Sequence, residues 1–402
     1  MSFLSEQFQM IMPLLEKERM LRRAEMVSFV LIMLLVATSL KSCAGASSQQ
    51  QTEAFTIRMD VTYSNPHGGK NIWNFTEEDR TIGLFMNNAW QTVELLDVSL
   101  PLETTNLDED GNPIAVLRLQ KPGLKPGESL SFSATFQASS GPRLIPEISE
   151  GKSETLDKIP ADLKKKYCSK ADTWQVDNPD LRLLASSLIM RSETRPLTIV
   201  KDFIIWIKHN IGYFVNEVPS YPNETFASRK GDCDDQAILL VTLCRIVGIP
   251  AYLQVGCIYQ PTRERTSETY WNGQVTDVLT QIAWHGWAVA YIPPWGFLPI
   301  DLTYVGNFSD PLNAIKAGAV TLRDTIQYMN VSQSDYIART RRNKEFLEEN
   351  SFYIFMEDYM SPISLQKGFW EEIADAWPYL VTIVVIAVLS LSFVYLRKVR
   401  RR

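Results

Sequence analysis

Between Ala237 and Val247 the chain reads AILLVTLCRIV, and nearly every residue is apolar. A helix that is apolar on all sides has to be covered on all sides, so this segment predicts a central helix with the rest of a domain layered around it. Asp232, Cys233, Asp234 and Asp235 stand at its start, and Gly248 and Pro250 stop it in the order usual for a helix end. The following AYLQVGCIYQ reads as a strand. A cysteine in the first turn of a helix feels the positive end of the dipole and unpaired N–H groups that stabilise a thiolate. A rigid buried helix is also a good platform for a reactive group at its exposed end. The carboxylates beside Cys233 oppose the thiolate by like-charge repulsion, which calls for a cationic partner. They favour basic substrates, or they simply complement the helix dipole, the simpler of the two readings.

The composition narrows the chemistry. At 402 residues the chain is long enough for two or three domains, and 21% charged with 45% hydrophobic residues is the balance of a folded protein. A formal charge of -6 argues against a nucleic-acid partner, since phosphate recognition needs a basic surface. Five cysteines without CxxC spacing and only three histidines cannot assemble a zinc-type site, so neither a metal nor another cofactor is expected.

Two apolar runs predict a membrane setting. From 376 to 396 the sequence AWPYLVTIVVIAVLSLSFVYL carries no charge over about twenty residues, the length of a transmembrane helix, and the basic tail 397–402 follows it. MVSFVLIMLLVATSL lies in 26–46 behind the basic segment 1–25, and reads as a signal anchor or a signal peptide, the anchor being favoured. Both ends place the body outside the cell membrane and the C-terminal tail in the cytoplasm. Lipidation of Cys43 is the weaker option, because Lys41 stands where a small residue is usual. Four N-x-S/T sequons, at Asn74, Asn223, Asn307 and Asn330, fall between the two runs and are glycosylation candidates.

Residues 53–140 alternate in the manner of strands, as in FTIRMDVTY and SLSFSATFQA, between turn clusters such as NPHGGK and DEDGNP, and suggest a β-sandwich of immunoglobulin-like size. His67 falls in one of those turns. Helical patterns follow in DNPDLRLLASSLIM and RPLTIVKDFIIWIKHNI, the second ending near His209, where a cation suits the dipole. Residues 321–375 read as a mixed-charge helical region next to the membrane.

His285 is then the histidine left for Cys233. It lies in AWHGWAVAYIPPWGFLPIDLTY, which reads as a hairpin. Pairing centred on Pro293 would set His285 opposite Asp301, whereas a tight loop with left-handed Gly296 would stagger them and need a bulge. A thiol, an imidazole base and a carboxylate that fixes its tautomer are the parts of nucleophilic acyl transfer.

GDCDDQAILLVTLCRIVGIPAYLQVG, followed by HGWAVAYIPPWGFLPIDLTY, resembles the transglutaminase-like superfamily of cysteine enzymes over roughly 178–305. The resemblance implies an α+β, papain-like transglutaminase core in 160–320, preceded by the all-β sandwich and flanked by terminal transmembrane helices. It implies Cys233 as nucleophile, His285 as base and Asp301 as orienter, acting on a protein or peptide substrate at the cell surface through a thioester. Water is the favoured acceptor. Tyr213, an aromatic upstream, is the candidate second oxyanion donor, or equally a core residue; Trp287 shields the site or fills the core. The alternative for Cys233 is a small buried residue or half of a disulfide, for which Cys168, Cys244 and Cys257 are the better candidates; Cys244 reads as core or as bridged to Cys257. A non-catalytic surface-binding module on the same fold, and a crosslinker joining glutamine to lysine, stay open beside the hydrolase.

Overall fold

The computed structural model describes residues 52–141, 143–190, 192–304 and 309–363, and isolated helical positions between Trp377 and Lys398. Two units result, one of Met1–Gln51 with Leu365–Arg402 and one of Thr52–Ser364. In the first, the described positions are helical.

The long N-terminal strands β1 (Glu53–Asn65), β2 (Gln91–Val98) and β3 (Glu128–Ser140) pair antiparallel, with β3 between the other two. Their alternation has the expected cause: Phe55 and Ile57 of β1 and Phe136 and Ala138 of β3 point into one apolar cluster. The helices that follow include α1 (Pro179–Leu188), capped by the Asn178 side chain, and α2 (Pro196–Asn210). Short β4 (Gly212–Tyr213) and β5 (Lys230–Gly231) pair in parallel and deliver the chain to α3 (Cys233–Ile246).

Helix α3 is central, as its composition requires. Leu239, Leu240, Val241 and Leu243 are fully buried in one cluster with residues of α1, α2 and the sheet behind. It ends where Gly248 takes a positive φ of 80° and the Ile249 N–H reaches back to the Cys244 carbonyl. Arg245, buried in the last turn, donates to the carbonyls of Ala251 and Ser332 and lies over the Trp174 ring.

Beyond α3 come β6 (Ala251–Tyr259), β7 (Thr266–Tyr270), β8 (Val275–Thr280), β9 (Ile282–Ile292), β10 (Gly296–Ile300), β11 (Thr325–Val331), α4 (Tyr336–Asn350) and β12 (Tyr353–Pro362). Of the two largest sheets, one has the order β10-β9-β6-β11 and supports α3; the second has the order β7-β8-β12-β1-β3-β2.

That second sheet corrects the expected architecture. The strands of 53–140 form, but not as a self-contained immunoglobulin-like sandwich, because β12 covers one edge of β1 from Phe55↔Pro362 to Ser64↔Tyr353 and brings β8 and β7 with it. A bare long edge is a template for further pairing, and here the chain's own later strands fill it. Within 321–375, Tyr336–Asn350 is helical while Thr325–Val331 and Tyr353–Pro362 are strands. The two regions are also tied by Asp110, which accepts from the backbone and hydroxyl of Ser332 and of Ser334, and by Asn112, which bonds the Asn330 backbone at both its N–H and its carbonyl.

The expected terminal transmembrane helices are not supported, nor is the cell-membrane location with a cytoplasmic tail that rested on them. Among the described residues no helix is long and apolar enough to cross a membrane. The longest, α2 and α4, have 15 residues, about 22 Å of helix against a hydrocarbon core of about 30 Å. Residues 26–46 lie outside the described residues, and 376–396 is described only at isolated positions.

Candidate active site

Cys233 occupies the first residue of α3. Asp232 caps the helix, its side chain accepting from the Asp235 N–H while Asp235 accepts from the N–H of Asp232. Gly231 permits this tight entry: a Cβ there would stand 2.6 Å from the Asp235 Cβ. The half-buried Cys233 sulfur and carboxylate oxygens of Asp232 and Asp234 all lie within 4.8 Å of one another. Burial, then the charges of Asp234 and Asp232, pushes the thiol up, while the N–H groups of Gly286 and Asp234 pull the other way. Burial and the two carboxylates therefore outweigh the donors that would stabilise a thiolate. Asp234 is itself pushed well above the carboxylate range by burial and by Asp232, against a hydrogen bond from the Tyr336 hydroxyl.

The Gly286 N–H puts Cys233 beside β9, whose residue 285 is the histidine. Gly286 is what lets the helix start come so close: a Cβ there would lie 3.1 Å from the Asp234 Cβ. In the β9–β10 hairpin, Ala288 pairs with Ile300 and Ile292 with Gly296, which has φ of 81°. Carried one step further, this register sets Asp301 opposite Trp287, two residues along from His285. The staggered arrangement is the one adopted, but no bulge is needed, since a two-residue offset keeps both side chains on one face.

His285 Nε2 and Asp301 Oδ2 are 2.9 Å apart, with His285 only 8% exposed and Asp301 fully buried. Asp301 Oδ2 also accepts from the Ala319 N–H, and Oδ1 from the N–H groups of Thr303 and Tyr304. Burial pushes this carboxyl up, but the His285 hydrogen bond and charge and the backbone donors outweigh it and hold it below its ordinary value. An ionised, acceptor-only carboxylate on Nε2 keeps the proton there and leaves Nδ1 as the acceptor. Gly318 makes the Ala319 contact possible, because a Cβ on it would fall 2.5 Å from the Asp301 Cβ.

Tyr213 on β4 is 63% exposed, so it is not a core residue. Pairing of Tyr213 with Gly231 holds it near the nucleophile, and partial burial followed by Cys233 and the two aspartates raises its hydroxyl to about 12. Trp287 is fully buried, its indole N–H donating to Gln254 Oε1, with its ring 5.9 Å from that of His285. His209 hydrogen-bonds the Ile205 carbonyl at the end of α2, as a helix terminus does, and His67 packs over Gly127 in its turn.

Cys168, Cys233, Cys244 and Cys257 are free thiols, and Cys244 and Cys257 belong to separate apolar clusters. Of the sequons, Asn74 is exposed and Asn223 half-buried, Asn307 lies outside the described residues, and Asn330 Oδ1 accepts from Gln254 inside the fold. The sequence pointed to none of the backbone donors to Asp301, nor to Gly318 or Gly286; glycine directly after the histidine was the one local signal of close approach.

Residues 185–302, the segment holding all three candidate catalytic residues, match the sequence model of the transglutaminase-like superfamily. The resemblance carried by the three motifs holds for this segment. No curated protein matches the chain. Similar solved structures include a protein from Cytophaga hutchinsonii described as a candidate cysteine protease, with 17% identity, 79% of this chain and 93% of that one covered, and a TM-score of 0.48. Another is the periplasmic domain of TgpA from Pseudomonas aeruginosa, with 16% identity, 66% and 93% coverage and a TM-score of 0.31. LapG of Legionella pneumophila has 17% identity, 50% and 96% coverage and a TM-score of 0.25. At these values the structural similarities carry no argument about activity.

Proposed function

We propose that the protein is a cysteine hydrolase that cleaves peptide or isopeptide amides by acyl transfer through Cys233. The observation that supports this best is the buried His285–Asp301 pair, its carboxylate oriented by three backbone donors, with His285 on the strand whose next N–H meets the Cys233 sulfur.

With burial and the two carboxylates holding the thiol up, proton removal accompanies attack. His285 Nδ1 takes the Sγ proton as sulfur adds to the amide carbonyl carbon, and the C–O π electrons move to oxygen. The Cys233 backbone N–H and the Tyr213 hydroxyl are the donors assigned to that oxyanion. Collapse breaks the C–N bond, and the imidazolium gives its proton to the leaving amine. Water, deprotonated by the same Nδ1, then adds to the thioester; collapse releases a carboxylic acid, and sulfur is reprotonated. Asp301 stays ionised throughout and holds the imidazole in one tautomer.

An amine acceptor in place of water would make the same site a crosslinker. The test is incubation with acetylated peptide amides and an isopeptide, with and without a fluorescent primary amine, followed by mass spectrometry. Cleavage without amine incorporation, lost in Cys233→Ala, is the expected result. Incorporation of the amine would replace hydrolase by crosslinker, and no reaction with any substrate would favour a binding module.

A further inference from the structure

Beside the start of α3 lies a cavity of about 660 Å3, within the range of about 300–1,000 Å3 usual for ligand pockets. Asp232 and Asp234, which flank Cys233 in sequence, belong to its wall, as does Trp284, the neighbour of His285. Its other walls mix aromatic and aliphatic side chains with a few polar ones, the aromatics including Trp271 at the tip of the β7–β8 hairpin, Phe346 on α4 and Trp73.

Carboxylates line this cavity, and among the described residues no lysine, arginine or histidine does. Some are accounted for: Glu217 pairs with Lys344 at 3.0 Å, Glu78 with Arg339 at 3.9 Å, and Asp79 accepts from the Trp73 indole and from Thr76. Asp232, Asp234 and Asp277 have no ion pair among the described residues. Oδ1 of Asp277 is buried and has no hydrogen-bond partner among the described residues, and the nearby Arg263 is engaged with Glu268 and Thr266. An unpaired buried carboxylate oxygen is costly, and the missing donor is what a cationic ligand carries. An apolar ligand would leave that oxygen unpaired, and an anion would be repelled. Aromatic faces next to carboxylates suit a guanidinium or ammonium on an apolar stem.

We propose that this cavity receives a lysine or arginine side chain of the polypeptide substrate, seated between the aromatic walls with its charge on Asp277. The proposal rests on the acyl-transfer reading for its place next to the cleaved amide, but the binding step does not require the chemistry. Burial and Glu268 hold the Asp277 carboxyl up to about 6, so an entering cation relieves a strained group.

Binding is therefore measured on the full chain carrying Cys233→Ala, with acetylated, amidated Gly-Gly-Lys-Gly-Gly, its arginine form and its norleucine form, by titration calorimetry at low and high salt. The lysine and arginine peptides are expected to bind about tenfold more tightly than norleucine, with the margin shrinking in high salt and severalfold in Asp277→Asn. Trp271→Leu, which keeps the charge, should also narrow it. Equal affinity for the three peptides, or a margin untouched by both substitutions, overturns the proposal. Cleavage of the same peptides by the parent is scored separately: selective binding without cleavage retains the pocket and removes the hydrolase, and cleavage without selectivity does the reverse.

Discussion

At the scale of the residue, the nucleophile and its environment pull in opposite directions. Cys233 has a helix start and two N–H groups in its favour, and burial with two carboxylates against it. Asp232→Asn keeps the cap, since asparagine and aspartate serve equally well there, and removes one charge. Iodoacetamide labelling of Cys233 at pH 7.5 is expected to speed up about three- to tenfold, one pKa unit being tenfold in thiolate; unchanged labelling would mean that the carboxylate does not control the thiol. Asp301→Asn loses the acceptor-only partner of Nε2 and lets the imidazole take the other tautomer. A fall in kcat of at least about 100-fold with little change in KM is expected from kinetics on a cleaved peptide.

At the scale of the element, the candidate site hangs on close backbone approaches. Gly318→Ala would place a Cβ against Asp301, push the 314–319 segment away and remove the Ala319 donor. A loss of about 1–3 kcal/mol in denaturant unfolding, with reduced turnover, is the expected result. These contacts explain what was legible in the sequence and what was not. The even spacing of His285 and Asp301, the position of Cys233 behind a glycine and the exit of α3 at Gly248 are local, and local pattern carried them. The role of Gly318 depends on a loop folding back onto the end of a strand, which no local pattern records. YIFMEDYMSP was read as helix because mixed charge masked its aromatic alternation, and its partner β1 lies nearly three hundred residues earlier in the chain. The hairpin tip WNG between β7 and β8 does carry the Asn-Gly turn signal.

At the scale of the whole molecule, buried acids set a pH dependence of stability. Burial raises Asp358 to about 7, against the hydrogen bond from Trp284, and raises Asp235 and Asp277 to about 6. A carboxyl raised in the folded state stabilises it fully below the unfolded value near 4, and that contribution is lost as pH climbs through 6 to 7. Asp301, held low, works the other way and costs stability only in acid, as pH falls through its folded value. Tm is therefore expected to be higher at pH 5.5 than at pH 8, and Asp358→Asn, which keeps an acceptor for the Trp284 indole, should narrow that gap. A Tm that rises from pH 5.5 to 8 would contradict it. The same scale shows why β12 matters: it joins β1 to the β7–β8 hairpin that walls the cavity, so one sheet holds N-terminal strands together with that hairpin.

The central claim is that Cys233, activated by His285, carries an acyl group, and trapping that intermediate tests it most directly. The parent, Cys233→Ala and His285→Ala would each be mixed with an acetylated peptide p-nitrophenyl ester and followed by intact-mass and peptide-mapping mass spectrometry, with hydroxylamine release as the check on the thioester. The expected result is a hydroxylamine-labile acyl group on Cys233, absent from Cys233→Ala and formed at least about 100-fold more slowly in His285→Ala. Acylation of Cys168 instead, no acylation, or equal rates in the parent and His285→Ala would contradict the account.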